Sequence, residues 1–188
     1  KNSLYKDALK NESSGSSGMA VLYIDIDNFR LINDIAGHDL GDMALQKVGT
    51  RLAELCKNKG NLYHVGEDEF VILYPDVSEK GIGEIMAAYI LGGFKTSMQV
   101  LDHDLFISIS IGVFEQNKQN FSIQQLLSFA EAAMYQAKSQ GKKQYVLFNK
   151  NLGHELVEKA NISKLIHKAY ENNEFEVYYQ PQLDLAFD

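Results

Sequence analysis

A single cysteine, Cys56, occurs among the 188 residues. That excludes an internal disulfide and points to a reducing compartment. No apolar run reaches the roughly 20 residues of a membrane span, and no signal peptide opens the chain. The expectation is a cytoplasmic segment with no membrane contact of its own. Basic charge is scarce as well. The net charge is −7, and nothing resembles the basic stripe that duplex nucleic acid requires, so no nucleic-acid partner is expected. Acidity does not exclude a nucleotide, because a metal ion reconciles acidic side chains with phosphates. Internal repeats and low-complexity tracts are missing too. What is present is 45% hydrophobic and 23% charged residues, enough to bury one core and begin a second.

The apolar pattern divides the chain. "SLYKDALKN" reads as a helix and "ESSGSSG" as a flexible connection. "MAVLYIDI" is nearly continuous in apolar character, as a buried central strand is. It stops at "DIDNF", after which Phe29, Ile32 and Ile35 follow at helical spacing. "GHDLGD" breaks that helix, and from Asp42 the series Ala44, Leu45, Val48, Leu52 and Leu55 predicts another. "NLYHV" and "EFVILY" predict the two strands of a hairpin, the second closed by Pro75. Ile82, Ile85, Met86, Tyr89 and Ile90 mark a helix within residues 77–97, with a soft end at Gly92 and Gly93. "MQVLDHDLFISISIGVF" reads as two strands around a tight "DHD" turn. The best helix covers residues 122–140, with Ser122 as cap, Gly141 as terminator and a stripe from Ile123 to Ala137. "YVLF" is a last strand. Beyond it lie a polar-faced helix and "EVYYQPQLDL", read as a strand. The composition shift places a domain boundary near residue 150, and the element order predicts an α/β sandwich on a mixed sheet.

Acids stand where strands run out. Asp25 and Asp27 end the first strand on one face, and Asp68 and Glu69 sit at the hairpin tip. If the two elements are neighbours, Asp25 and Asp68 can share one or two Mg2+ ions, which favour one or two carboxylates plus water and phosphate oxygens. Taken singly, such acids are usually solvated turn residues. A polymerase-like palm uses two-metal phosphoryl transfer with ligands of this kind, but spacing alone does not select it.

"YIDIDNFRLINDIAGHDLGD" followed by "HVGEDEF" and later by "AEAAMYQAKSQGKKQ" resembles the GGDEF family, diguanylate cyclase domains that join two GTP molecules into cyclic di-GMP. The resemblance covers most of residues 1–149, with the N-terminal edge clipped. It implies an α/β (α+β) sandwich whose mixed, mainly antiparallel central sheet is flanked by helices, like nucleotidyl cyclases and polymerase palms. It implies Mg2+ or Mn2+ as cofactor, held by Asp25, Asp68 and the carbonyl of Ile26. Asn33 and Asp42 are the implied readers of the guanine edge. Arg30, Lys138 and Lys142 are the implied triphosphate cations. Asp68 or Glu69 assists deprotonation of the attacking ribose hydroxyl. Each domain takes one GTP, so a cyclic dinucleotide needs a homodimer. "NEFEVYYQPQLDL" is similar to the opening strand of EAL domains, the cyclic di-GMP phosphodiesterases, so residues 150–188 read as a linker helix and the start of an attached EAL domain. His38 and His64 are read as structural.

Two departures stand out. The signature reads "GEDEF", so Glu67 follows Gly66 where the family has a second glycine passing close to the phosphates. If its φ were positive, a glutamate there would cost about 1 kcal/mol. Its charge, about 6 Å from a phosphate oxygen at an effective dielectric near 20, would cost roughly 3 kcal/mol. The second departure is "KNKG", Lys57 to Gly60, where the family's inhibitory product site has R-x-x-D. Without the planar bidentate donor and its acid, tight product binding is not expected there. Three functions follow: a GTP-binding module of weak or lost turnover that regulates the attached phosphodiesterase, an active diguanylate cyclase, and a dimerising domain without nucleotide.

Overall fold

A strand buried on both faces must be apolar on both, and the segment from Met19 to Ile26 meets that demand, with all eight residues buried. It is the centre of a computed structural model that describes residues 4, 18–57, 59–75, 77, 81–116, 121–149, 151–153, 169–172 and 174–180. The elements in chain order are β1 (Met19–Ile26), α1 (Phe29–Ala36), α2 (His38–Cys56), β2 (Asn61–His64) and β3 (Glu69–Pro75). Then come α3 (Ile82–Gly93), β4 (Met98–Val100), β5 (His103–Leu105), β6 (Ile109–Gln116), α4 (Ile123–Ser139) and β7 (Tyr145–Leu147). The chain divides into two compact units, Lys1–Gly153 and His154–Asp188, and all of these elements belong to the first. Among the described residues no helix is long and apolar enough to cross a membrane.

The main sheet runs β2-β3-β1-β6-β7. Its pairs are antiparallel except β6 with β7, so the sheet is mixed and mainly antiparallel. Alternation along β1 sorts two cores. Ala20, Leu22, Ile24 and Ile26 pack with α2 and α3 residues such as Ala44, Val48, Leu52, Met86 and Ile90. Met19, Val21 and Tyr23 pack on the other face with Leu126, Ala130 and Met134 of α4. α4 starts at a capping box. The Ser122 hydroxyl accepts from the Gln125 amide, and the Gln125 side chain accepts from the Ser122 amide. Its buried stripe is the expected one, Ile123, Leu126, Ala130, Ala133, Met134 and Ala137. The helix presses so closely on β6 that a Cβ at Gly112 would collide with backbone atoms of Ala130 and Met134.

Several boundaries differ from expectation. α2 begins at His38 rather than Asp42, because Gly37 alone, at φ 83°, breaks the chain between α1 and α2. Ile85 and Tyr89 are 67% and 55% exposed. The buried face of α3 is Gly83, Met86, Ala87 and Ile90, because these are the positions turned toward the core shared with β1. "MQVLDHDLFISISIGVF" forms three strands, not two. β4 and β5 make a separate two-stranded sheet, turning at Leu101 with φ 53°, before β6 begins at Ile109. Residues 174–180 are described and form no strand; the remainder of the expected strand, from residue 181, lies outside the described residues. Residues 151–153 and 169–171 are helical. The remainder of that expected helix lies outside the described residues, as do the "ESSGSSG" connection up to residue 17 and the first helix except Leu4, which is helical and buried.

The Gly112 contact is with backbone, which cannot rotate away. Gly112→Ala is therefore expected to destabilise the domain by about 3 kcal/mol or more, read as a lowered urea midpoint with unchanged slope.

Candidate functional site

The site lies where β1 ends. Asp25 continues the Val21–Tyr23 alternation and so belongs to the α4 side of the sheet. It pairs across β1–β3 with Glu69 and across β1–β6 with Ser110. Only 5% of it is exposed. Lys138, in the last turn of α4, brings its Nζ to 2.5 Å from Asp25 Oδ1. The contact is ionic rather than a directed hydrogen bond, and Oδ1 has no other donor. Burial raises the Asp25 pKa to about 6, with the charges of Asp68 and Glu69 adding to the rise and Lys138 opposing it.

The hairpin tip is tied directly to this strand end. The amide of Ile26, itself buried, donates to the carbonyl of Asp68 at 3.1 Å. The turn closes on itself through the Val65 and Gly66 amides, which donate to the Glu69 carbonyl at 3.0 and 3.4 Å. Glu69 folds its carboxylate over Gly66 and accepts from the Tyr23 hydroxyl at 3.0 Å. Burial first, then that bond and the nearby acids, hold the Tyr23 proton well above the usual phenol range. Asp68 is half-buried, whereas Glu67 is exposed and is not in the left-handed backbone region. The conditional backbone cost at position 67 therefore does not arise. His64 stacks on Phe70 with centroids 4.8 Å apart and approaches the Glu67 carbonyl with Nε2 at 3.4 Å.

Asp27, first grouped with Asp25 as an acid at the strand end, does something else. Its carboxylate accepts from Ser110 at 2.6 Å, from Ser108 at 2.8 Å and from the Lys143 amide at 3.2 Å. With its oxygens so occupied it organises the loops, and Asp25, equally buried, is the acid of the pair that these bonds leave out. Asn28, Lys142 and Lys143 all adopt positive φ, at 58°, 64° and 53°. The Lys142 ammonium reaches the Asn28 Oδ1 at 2.5 Å. Asn28 precedes α1 without a side-chain cap; the Leu31 amide donates to the Asn28 carbonyl at 2.9 Å, which leaves the Phe29 and Arg30 amides as the ones that could meet an anion. Arg30 is 93% exposed and only loosely paired with Asp34 at 3.8 Å.

Asn33 lies half-buried on α1 with its side chain against Gly41 of α2, where a Cβ would collide with it. Gly41 is thus a point of close approach within a helix, not a helix breaker. Asp42 follows it and is exposed, so the two implied guanine readers meet at the α1–α2 junction. Lys57 is exposed, and the Lys59 and Gly60 amides turn back onto the Cys56 carbonyl.

The donor set suits Mg2+. Among the described residues no three His, Cys, Asp or Glu side chains gather to hold a metal by themselves. A buried carboxylate oxygen without a hydrogen-bond donor beside a second acid fits an ion that keeps water and phosphate oxygens as ligands.

The family model described as "Diguanylate cyclase, GGDEF domain" matches residues 2–144. The chain belongs to the GGDEF family. It is similar to the signaling protein YkoW of Bacillus subtilis, 32% identical over 178 residues, spanning 94% of this chain and 22% of that protein. It is also similar to the bifunctional diguanylate cyclase/cyclic di-GMP phosphodiesterase MucR of Pseudomonas aeruginosa, 30% identical over 164 residues, 87% of this chain and 24% of that one. The chain thus spans less than a quarter of these curated relatives. Among solved structures, an EAL/GGDEF domain protein from M. capsulatus superposes with TM-score 0.67 at 31% identity, covering 78% of this chain and 97% of that one. The fold is the palm-like one of GGDEF domains, and the chain is a domain of the cyclic di-GMP signalling family.

The buried Asp25 makes stability of the metal-free domain depend on pH. The folded state holds this proton more tightly than the unfolded chain. The stabilisation is complete below the ordinary pKa of 3.8 and is lost as pH rises through about 6. In EDTA at about pH 7.5, Asp25→Asn is expected to stabilise the domain by on the order of 2 kcal/mol. The gain should narrow by about pH 5, as followed by thermal melts.

Proposed function

We propose that this GGDEF domain binds GTP with Mg2+, or Mn2+, at the end of β1 and that, as a homodimer, it makes cyclic di-GMP at a reduced rate. The observation that carries the reading is the tie between Ile26 and Asp68, which brings the hairpin acids to the buried Asp25. The metal, when bound by Asp25, Asp68 and the Ile26 carbonyl, supplies a Lewis acid for phosphate oxygens and for the attacking hydroxyl. Arg30, Lys138, Lys142 and the open amides of α1 neutralise the triphosphate. Asn33 and Asp42 hold the guanine edge, since an amide can donate and accept while a carboxylate accepts from ring and amino N–H groups. Glu69, kept in place by Tyr23, and Asp68 draw the proton from the ribose hydroxyl. One domain presents one such site, so joining two nucleotides takes two domains face to face.

Glu67 sets the rate. Its exposure and ordinary backbone leave only a charge effect, which in a water-like dielectric falls to about 1 kcal/mol for a unit charge at 6 Å. That supports weakened rather than abolished turnover. Full cyclase activity is the second reading, favoured by the same exposure. The division of the chain after Gly153 supports reading residues 150–188 as a linker and the start of an EAL domain, to which this domain would report GTP in the cytoplasm. Lys57 and Gly60 offer no Arg–Asp pair, so feedback by product at that surface is not expected.

Purified protein incubated with GTP and Mg2+ is expected to give slow but measurable cyclic di-GMP, and Glu67→Gly is expected to raise the rate about three- to fivefold. GTP binding without any product from either protein would remove the cyclase reading. Failure to bind GTP would remove the nucleotide reading altogether.

A further inference from the structure

The contact between Lys138 and Asp25 has a consequence for how the site fills. Asp25 is almost wholly buried, and among the described residues its Oδ1 has no donor other than Lys138. The one cation against that oxygen is the Lys138 ammonium, at 2.5 Å. Asp25 is also the carboxylate that, on the reading above, holds the divalent ion. Mg2+ sits about 2.1 Å from its oxygens. An ammonium nitrogen and a divalent cation cannot both lie that close to one oxygen without like charges meeting at short range in a poorly solvated place. One must leave.

Lys138 is built to be the one that leaves. Its side chain is 28% exposed, so the ammonium can swing to the rim on a flexible stem while the backbone of α4 stays put. It starts from the last turn of α4, directly ahead of the turn that anchors Lys142 on Asn28. Arg30 also lies on this rim, one residue past the Asn28–Phe29 step that begins α1. An ammonium released from Asp25 therefore enters the region where these two cations await an anion.

We propose that Lys138 is a displaceable counter-ion: it neutralises Asp25 before the divalent ion arrives and passes to the triphosphate when metal and nucleotide enter together. The inference rests on the metal reading of Asp25 and adds an order to it. Metal alone meets a competitor and binds weakly. Metal with nucleotide gives the displaced ammonium a new anionic partner, so the two ligands help each other bind, and by linkage the help is reciprocal.

Mn2+ titrations followed by electron paramagnetic resonance test this without reference to turnover. Without nucleotide, Lys138→Met is expected to bind Mn2+ at least tenfold more tightly than the wild-type domain. With a non-hydrolysable GTP analogue present, the wild type should gain far more Mn2+ affinity than the variant, reducing the coupling factor at least tenfold. Lys138→Gln, polar but uncharged, is the second variant and should behave in the same way. Mn2+ affinity that is unchanged or weakened in both neutral variants would overturn the proposal while leaving the metal site intact. Asp25→Asn separates the two ideas. If it binds Mn2+ as well as the wild type, the metal reading itself falls, and this inference with it.

Discussion

An ionisable carboxylate at the end of an apolar strand is the constraint on which this end of the molecule depends. Burying an unpaired charge costs several kcal/mol even after relaxation, and Asp25 has two further acids, Asp68 and Glu69, close enough to raise its pKa. Without compensation the strand end would be the weakest part of the sheet. Compensation comes from outside the strand, in the Lys138 ammonium. The position of α4 is therefore not only a matter of packing. The capping box that starts it and the close approach over Gly112 also fix where its last turn, and so Lys138, can reach.

A second set of contacts keeps the loops of the site from drifting. Three non-glycine residues in the left-handed region, Asn28, Lys142 and Lys143, each carry a conformational cost on the order of 1 kcal/mol that persists only where surrounding contacts demand it. Here the demand is visible. Asp27 binds the Lys143 amide, and the Asn28 side chain takes the Lys142 ammonium. The turn after β1 and the turn after α4 are thus laced together across more than a hundred residues of sequence. Ser108 and Ser110 hold the other side of Asp27. A rigid strand end, a fastened loop and a helix start without a side-chain cap thus bring amides and cations to one end of the sheet, the groups the proposed triphosphate site would use.

Much of this was legible in the sequence because it depends on local pattern. The eight-residue run of β1, the capped stripe of α4 and the strands around "GEDEF" each carry their own periodicity and punctuation. What was not legible depends on partners distant in the chain. Gly41 looked like a breaker because nothing local reveals that Asn33 lies over it. Asp27 looked equivalent to Asp25 because two acids two residues apart share a face in any extended chain. Only the pairing of β1 with β6 brings the serines of "ISIS" to Asp27. Tyr23 read as one more apolar position of a strand, and its hydroxyl gains meaning only from the β1–β3 register that sets Glu69 nearby. The exposure of Ile85 and Tyr89 was hidden for a related reason. Helical spacing identifies a stripe, but the sheet decides which part of that stripe is covered.

The cations of the rim share a further property that bears on how an acidic chain handles an anionic ligand. Each is held by a weak or partial partner: Arg30 by an exposed Asp34, Lys142 by a neutral amide oxygen, Lys138 by a carboxylate that a stronger cation can claim. Exposed ion pairs contribute about 0–1 kcal/mol, and an amide oxygen carries no net charge, so breaking the first two contacts is cheap. On the proposed reading only Lys138 has a buried partner to give up, and it leaves Asp25 in exchange for the divalent ion. The arrangement leaves positive charge available in a chain of net charge −7. Glu67 is the exception, an exposed carboxylate at the tip with no cation assigned to it. Its backbone lies within the closed turn, but its side chain is exposed, where solvent can screen it.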